Sequence, residues 1–327
     1  MSKINKLNIL LTRKLPEAIE KKLSENFSVI LNKNDKPLNY KDLRKKVENI
    51  DILVPCITDT IDSSVMKSAK HLKLIANFGN GVDNIDLITA KERNIIVTNT
   101  PEVLTEDTAD IVITLLLMIC RRVKEAENKL YQGKWDGWGP SITHGHRIQG
   151  KKLGIIGMGR IGQAVAKRAI ALGLKINYHN RKKLNQKIEK EFEATYWQNL
   201  NEMISKMDII SFHCPYTPET FHLLSSRRIK LLKNSCIVLN TSRGEIIDEN
   251  ALAEALLKKK ISAVGLDVFE HEPQVSPKLL ESKNVVLFPH ISSATKESRD
   301  AMGLRVFKNI IRFSKGQKPV DIVNNRN

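Results

Sequence analysis

Cysteine is rare in this chain, and it never occurs in the spacing of a metal or redox centre. The 327 residues hold four cysteines, Cys56, Cys120, Cys214 and Cys236, with no C-x-x-C among them. Three lie in apolar runs, as buried free thiols of a reducing compartment do. Long hydrophobic stretches are also missing. The longest apolar run, residues 111–120, is too short to span a bilayer and is bracketed by Asp110 and Arg121. Residues 1–13 read as a short strand, not as a signal peptide. These absences point to a cytoplasmic protein with no membrane partner. Acidic residues are in deficit, 36 against 53 Lys and Arg, which gives a net charge of +17. Such an excess can mark a polyanion-binding surface. Here the basic residues are spread along the whole chain. No basic segment is interleaved with the aromatics, which make up only 5 % of the residues. No nucleic-acid partner is expected from charge without a reading motif.

What the chain does have is a long α/β alternation. Short apolar strands are predicted at 7–11, 27–31, 51–55, 72–77 and 95–98, with polar helical stretches between them. That pattern argues for parallel βαβ units. Next comes a helix opening near Thr105, a plausible N-cap, with Glu106 and Asp107 in its first turn. Its residues 111–119 are apolar on nearly every face, so the helix is expected to be buried on most sides. Residues 135–140 read as loop from their Gly and Pro content. A second series of strands is predicted at 153–156, 175–178, 208–212, 236–239, 263–268 and 285–288. Each is β-branched or continuously apolar, as strands covered on both faces are. The stretch 294–313 looks helical and is placed to return to the first domain.

The strand at 153–156 feeds Gly157-Met158-Gly159-Arg160-Ile161-Gly162. An amphipathic helix follows and stops at Gly173. G-x-G-x-x-G alone is a weak motif, but between a strand and a helix it reads as a dinucleotide site. Gly157 permits the tight turn, Gly159 lets the backbone approach a pyrophosphate, and Gly162 lets helix and strand pack closely. Sites for NAD place Asp or Glu about twenty residues further on, to hold the ribose 2′-hydroxyl. Here that place holds Asn180, followed by Arg181. A guanidinium can pair with a 2′-phosphate that an acid would repel. NADP(H) is therefore expected over NAD(H), with NAD(H) still possible.

In doubly wound sheets the ligand lies beyond the carboxyl ends of the strands. Three of those ends carry chemistry: Arg243 in NTSRGEIIDE, Glu272 in LDVFEHEP and His290 in LFPHISSAT. Reduction of a 2-keto acid needs a cation for the carboxylate and carbonyl, a proton donor for the new hydroxyl, and a group to orient that donor. Arg, His and Glu supply these. His144-Gly145-His146 could chelate, but no third ligand is evident, so no metal is expected.

With these motifs in this order, the chain resembles the D-isomer-specific 2-hydroxyacid dehydrogenase family. The resemblance runs from about residue 50 to 313 through GMGRIGQAVAKRA, NTSRGEIIDENALAEAL, GLDVFEHEP and the PH of LFPHISSAT. YHNR and VLTEDTADIVITLLL look most like the glyoxylate/hydroxypyruvate reductases within it. The resemblance implies two doubly wound parallel-sheet α/β domains. Residues 1–101 plus 290–327 would form a flavodoxin-like substrate-binding domain, and 102–289 a Rossmann cofactor domain. It implies that His290 protonates the substrate oxygen, that Glu272 orients His290, and that Arg243 binds and polarises the substrate. The backbone amides of Asn80 and Gly81 would hold the carboxylate. Thr108 and Asp267 would contact the nicotinamide end, while Cys214, Pro215, Thr241 and Ser242 would line the cofactor beside Arg160 and Ile161 of the glycine turn. The partners implied are a small 2-keto or 2-hydroxy acid and a second copy of the chain, with Trp138 placed like an aromatic that reaches a neighbouring subunit. Asn80, Ser292 and Ser293 depart from the commonest pattern. The resemblance leaves open D-lactate and 3-phosphoglycerate dehydrogenases, and a corepressor-like nucleotide-sensing protein on the same scaffold.

Overall fold

The computed structural model describes residues 7–324, so residues 1–6 of the segment read as an N-terminal strand lie outside it. The chain divides into two compact units. One takes the chain up to Leu104 and again from Ala294, and the other is Thr105–Ser293. Both divisions fall a few residues beyond 101 and 289. The reason is local. The helix Thr105–Cys120 packs on the second unit's sheet, and Ile291 and Ser292 are hydrogen-bonded to Asp267 of that unit.

The first unit holds strands β1 (Asn8–Leu11), β2 (Ser28–Ile30), β3 (Ile52–Val54), β4 (Leu74–Ala76) and β5 (Ile96–Thr98). They form one parallel sheet in the order β2-β1-β3-β4-β5, the flavodoxin-like order. β1, β3, β4 and β5 bury side chains on both faces, while the edge strand β2 has no buried residue. Ile9, Leu11, Ile52, Val54, Leu74 and Ala76 point to one side, where Met302, Val306 and Ile310 cover them. Leu10, Leu53, Ile75 and Val97 point to the other. This is why the strands read as continuous apolar runs instead of alternating ones. The helix Lys296–Ser314 packs on the helix Glu17–Asn26 and on β4.

The second unit holds β6 (Lys152–Ile156), β7 (Lys175–His179), β8 (Thr195–Tyr196), β9 (Ile209–Phe212), β10 (Ile237–Asn240), β11 (Ala263–Leu266) and β12 (Val285–Leu287). The order is β12-β11-β10-β9-β6-β7-β8, again parallel. Only β8 was not foreseen, because two residues are too few to show a period. The helices Thr105–Cys120 and Arg160–Ala171 cover one face. The helices Leu200–Lys206 and Glu249–Leu257 help cover the other. Arg168 ties the first two together, with Nε 2.6 Å from Asp110 Oδ1 and Nη1 2.8 Å from Glu106 Oε2. The apolar helix is buried at Val112, Leu115, Leu116 and Cys120, while Ile111, Ile113 and Met118 are half-buried. Among the described residues, no helix is long and apolar enough to cross a membrane.

Candidate active site

From β6 the chain runs outward to β8 on one side, then crosses back to β9 and continues to β12 on the other. The order therefore reverses between β6 and β9, and a doubly wound sheet opens its ligand crevice at such a point. The glycine turn sits there. Gly157 has φ +95°, and a Cβ on it would come within 2.5 Å of the Cys214 backbone nitrogen. Gly162 approaches the Gly157 carbonyl oxygen so closely that a Cβ would lie 2.6 Å from it. Around Gly159, by contrast, nothing stands within 4 Å of the place a Cβ would take. The first turn of the helix Arg160–Ala171, with Arg160 and Ile161 at its head, presents backbone donors to that open face. The helix ends as its Gly173 predicts. Gly173 has φ +78°, and the N–H groups of Gly173 and Leu174 return to Ile170 and Ala169.

Asn180, just past β7, turns back to this loop. Its Oδ1 accepts the Met158 N–H at 2.7 Å. Arg181 beside it is exposed. Cys214 and exposed Pro215 follow β9, and burial pushes the Cys214 thiol up to about 11. Thr241 and Ser242 follow β10. Thr241 Oγ1 is buried without a hydrogen-bond partner, an arrangement that costs free energy unless a ligand or water supplies one. An open glycine cradle, a helix N-terminus and an orphaned hydroxyl on the next strand end fit a dinucleotide. Thr108 lies buried in the helix that packs on Arg160–Ala171.

The three chemistry-bearing side chains leave β10, β11 and β12 in neighbouring order. His290 Nδ1 lies 2.8 Å from Glu272 Oε2. An ionised carboxylate can only accept, so Nδ1 carries the hydrogen and Nε2 is left to face a reactant. Glu272 is also held at Oε1 by the Phe269 N–H at 3.0 Å. Burial pushes its carboxyl up. The His290 hydrogen bond and charge, the Phe269 N–H and the Arg243 charge outweigh that, and its pKa lies below the ordinary value. Arg243 Nη1 donates to the Ser242 carbonyl at 2.7 Å, and Asn240 Nδ2 donates to the Arg243 carbonyl at 2.7 Å.

Asp267 is fully buried at the end of β11, where it anchors the histidine loop. Its Oδ1 accepts from the Ile291 N–H at 2.8 Å, and its Oδ2 from the Ser292 N–H at 2.9 Å and from the Ser292 hydroxyl. Its carbonyl accepts the His290 N–H at 2.9 Å. This clamp holds His290 in the left-handed region, at φ +54°, a conformation that costs a non-glycine residue about 1 kcal/mol. Ser292, a departure from the commonest pattern, thus has a structural task. Asn80 and Gly81 belong to the other unit, in the loop after β4. Among the described residues, no group of three or more His, Cys, Asp or Glu could hold a metal ion. His144 Nε2 lies instead 2.5 Å from the Pro140 carbonyl oxygen.

A profile of the D-isomer specific 2-hydroxyacid dehydrogenase, NAD binding domain, matches residues 113–292. A glyoxylate reductase from Thermococcus litoralis is 43 % identical over 98 % of this chain and 97 % of its own. The chain belongs to the D-isomer specific 2-hydroxyacid dehydrogenase family. Two solved structures resemble it over nearly all of both chains. A glyoxylate reductase from Paecilomyes thermophila is 31 % identical, with a TM-score of 0.87 and coverage of 98 % and 99 %. An NADPH-dependent glyoxylate/hydroxypyruvate reductase from Sinorhizobium meliloti, solved with NADP and malonate, is 33 % identical, with a TM-score of 0.86 and coverage of 97 % of each. As a D-2-hydroxyacid dehydrogenase the protein is an NAD(P)-dependent oxidoreductase.

Around this dehydrogenase site stand residues the motifs did not single out. Gly244 packs against the Phe269 main chain. His222 Nε2 lies 2.7 Å from Glu270 Oε1, two residues before Glu272. Glu249 and Glu270 each accept the other's backbone N–H, at 3.0 and 3.2 Å, which ties the loop after β11 to the helix Glu249–Leu257. Only the glycine after Arg243 left a trace in the sequence, as a residue type suited to close approach.

Proposed function

We propose that this enzyme reduces a small 2-keto acid, glyoxylate or hydroxypyruvate, with NADPH as the preferred reductant. The observation that carries the reading is the 2.8 Å contact between His290 Nδ1 and Glu272 Oε2, one strand end away from Arg243 and on the same sheet edge as the glycine turn. When bound, the reduced nicotinamide supplies the hydride. His290 gives its Nε2 proton to the substrate oxygen. Glu272 fixes the imidazole's orientation through the Nδ1 contact. Arg243 binds the carboxylate and polarises the carbonyl, and the amides of Asn80 and Gly81 are further carboxylate donors. Asp267, with three of about four acceptor sites used by the histidine loop, keeps one for a carboxamide N–H, and Thr108 shares that end. Cys214, Pro215, Thr241 and Ser242 line the cofactor.

Preference for NADPH rests on Asn180 and exposed Arg181 at the place where an acid would select NADH. The name of the Sinorhizobium meliloti relative, NADPH-dependent and solved with NADP, supports this choice. The substrate class is supported by the relatives named glyoxylate reductase. We also propose a cytoplasmic homodimer built through the exposed arm that contains Leu130, Tyr131, Trp135 and Trp138. One assay tests the activity: absorbance at 340 nm with NADPH and a panel of 2-keto acids. Turnover is expected on glyoxylate or hydroxypyruvate. Bound cofactor with no turnover on any acid would refute the reading in favour of a nucleotide-binding protein.

A further inference from the structure

We infer that Asn77 and Asn99 are positioning residues for substrate binding, because their side-chain amides turn the loop after β4 so that its N–H groups face outward. This rests on the proposed carboxylate role of Asn80 and Gly81.

Three consecutive carbonyls of the loop accept hydrogen bonds from inside the first unit. The Gly79 carbonyl accepts the Thr100 N–H at 3.0 Å. The Asn80 carbonyl accepts Asn99 Nδ2 at 2.7 Å. The Gly81 carbonyl accepts Asn77 Nδ2 at 2.8 Å, and the same amide reaches the Gly79 carbonyl at 3.4 Å. In a planar trans peptide the C=O of one residue and the N–H of the next point in opposite directions. Drawing in the carbonyls of residues 79, 80 and 81 therefore directs outward the N–H groups of Asn80, Gly81 and Val82. Successive outward N–H groups form a concave nest for an anion. The peptide geometry thus adds Val82 as a third donor.

The burial of the two asparagines supports this role. Asn77 is fully buried and Asn99 nearly so, and the Oδ1 of each lacks a hydrogen-bond partner. Burying an unsatisfied acceptor is costly, so a residue that only filled space would be better apolar. Each is explained by its NH2 group, which an aspartate would lack. Gly79 makes room for the arrangement: a Cβ there would stand 3.1 Å from Asn77 Nδ2 and 3.0 Å from Ile57 Cγ2.

The test uses the full-length protein with NADPH bound and calorimetric titration of oxamate against its uncharged ethyl ester. Wild type is expected to bind oxamate well and the ester poorly. Asn99→Ala and Asn77→Ala should weaken oxamate roughly tenfold, the scale of one hydrogen bond to a charged group, and leave the ester and the NADPH dissociation constant unchanged. In turnover, KM for the keto acid should rise while kcat stays within about twofold. Asn99→Ser, which keeps a donor, should recover part of the loss. If Asn77→Ala does not fold, Asn99→Ala carries the test alone, since it frees only the middle carbonyl. Equal weakening of oxamate, ester and NADPH would make the asparagines merely structural and overturn the proposal. A wild type that binds acid and ester alike would instead overturn the carboxylate role of the loop, and the proposal with it.

Discussion

Gly244 stands against the main chain of Phe269: a Cβ on it would lie 1.9 Å from the Phe269 carbonyl carbon and 2.1 Å from its oxygen. Two backbones of adjoining strand ends are pressed together there, one carrying Arg243 and the other leading to Glu272. Backbone cannot yield as a side-chain tip can. Gly244→Ala should therefore cost about 2–3 kcal/mol of stability, the upper range for overpacking, and lower kcat/KM by displacing Arg243. Thermal denaturation and steady-state kinetics check it. A variant with the melting temperature and kinetics of wild type would show that the loops separate without cost.

The pairing of Glu272 with His290 has a consequence in pH. The Glu272 carboxyl lies below its ordinary value of 4.5 in the folded protein. The stability it contributes is then fully present above that ordinary value and lost as pH falls through the folded one. Glu272→Gln keeps the shape without the charge. Its deficit relative to wild type in urea unfolding should be larger at pH 7 than near pH 4. The same variant should lower kcat about a hundredfold, the scale of an acid-base partner, and His290→Ala at least as much, with NADPH binding kept in both. A deficit independent of pH, or near-normal kcat, would remove the pair from its role.

Much of this site is legible in the residues alone, and the reason is chemical spacing. Gly157, Gly159 and Gly162 must sit at fixed intervals to make one turn. Arg243, Glu272 and His290 each follow a strand whose apolar run is visible in the sequence. The supporting contacts were not legible, because their partners are remote along the chain. Nothing near Asn99 tells that its amide holds the Asn80 carbonyl, and nothing near Gly244 announces Phe269. Ser292 read as a departure, yet it is the residue that binds Asp267. Strand β8 escaped because Thr195 and Tyr196 are too short a run to show alternation.

If NADPH preference rests on Asn180 and Arg181 as proposed, the geometry of Asn180 tolerates the decisive change. Asn180 Oδ1 accepts the Met158 N–H at 2.7 Å, and an aspartate would accept the same bond while adding a negative charge. The double variant Asn180→Asp, Arg181→Ala should therefore fold. It should lose a bidentate partner for the 2′-phosphate and gain a repulsive charge beside it. A shift in the ratio of kcat/KM for NADPH to that for NADH of roughly a hundredfold or more toward NADH is expected from two such charged contacts. An unchanged ratio would place cofactor discrimination elsewhere.

The segment from the end of the helix Val123–Tyr131 to Trp138 exposes four large apolar side chains. Leu130, Tyr131, Trp135 and Trp138 are 57 %, 81 %, 59 % and 88 % exposed, and that helix has no buried residue of its own. Exposed apolar patches can mark association surfaces, and this segment is the one through which the homodimer is proposed. A second copy of the chain covering the arm would bury them, and apolar side chains so buried contribute on the order of 1.5–3 kcal/mol each. Sedimentation velocity should find a dimer for wild type. Leu130→Ser combined with Trp138→Ser should shift it toward monomer at micromolar concentration without unfolding either unit. A wild type that sediments as a stable, fully active monomer would refute the dimer.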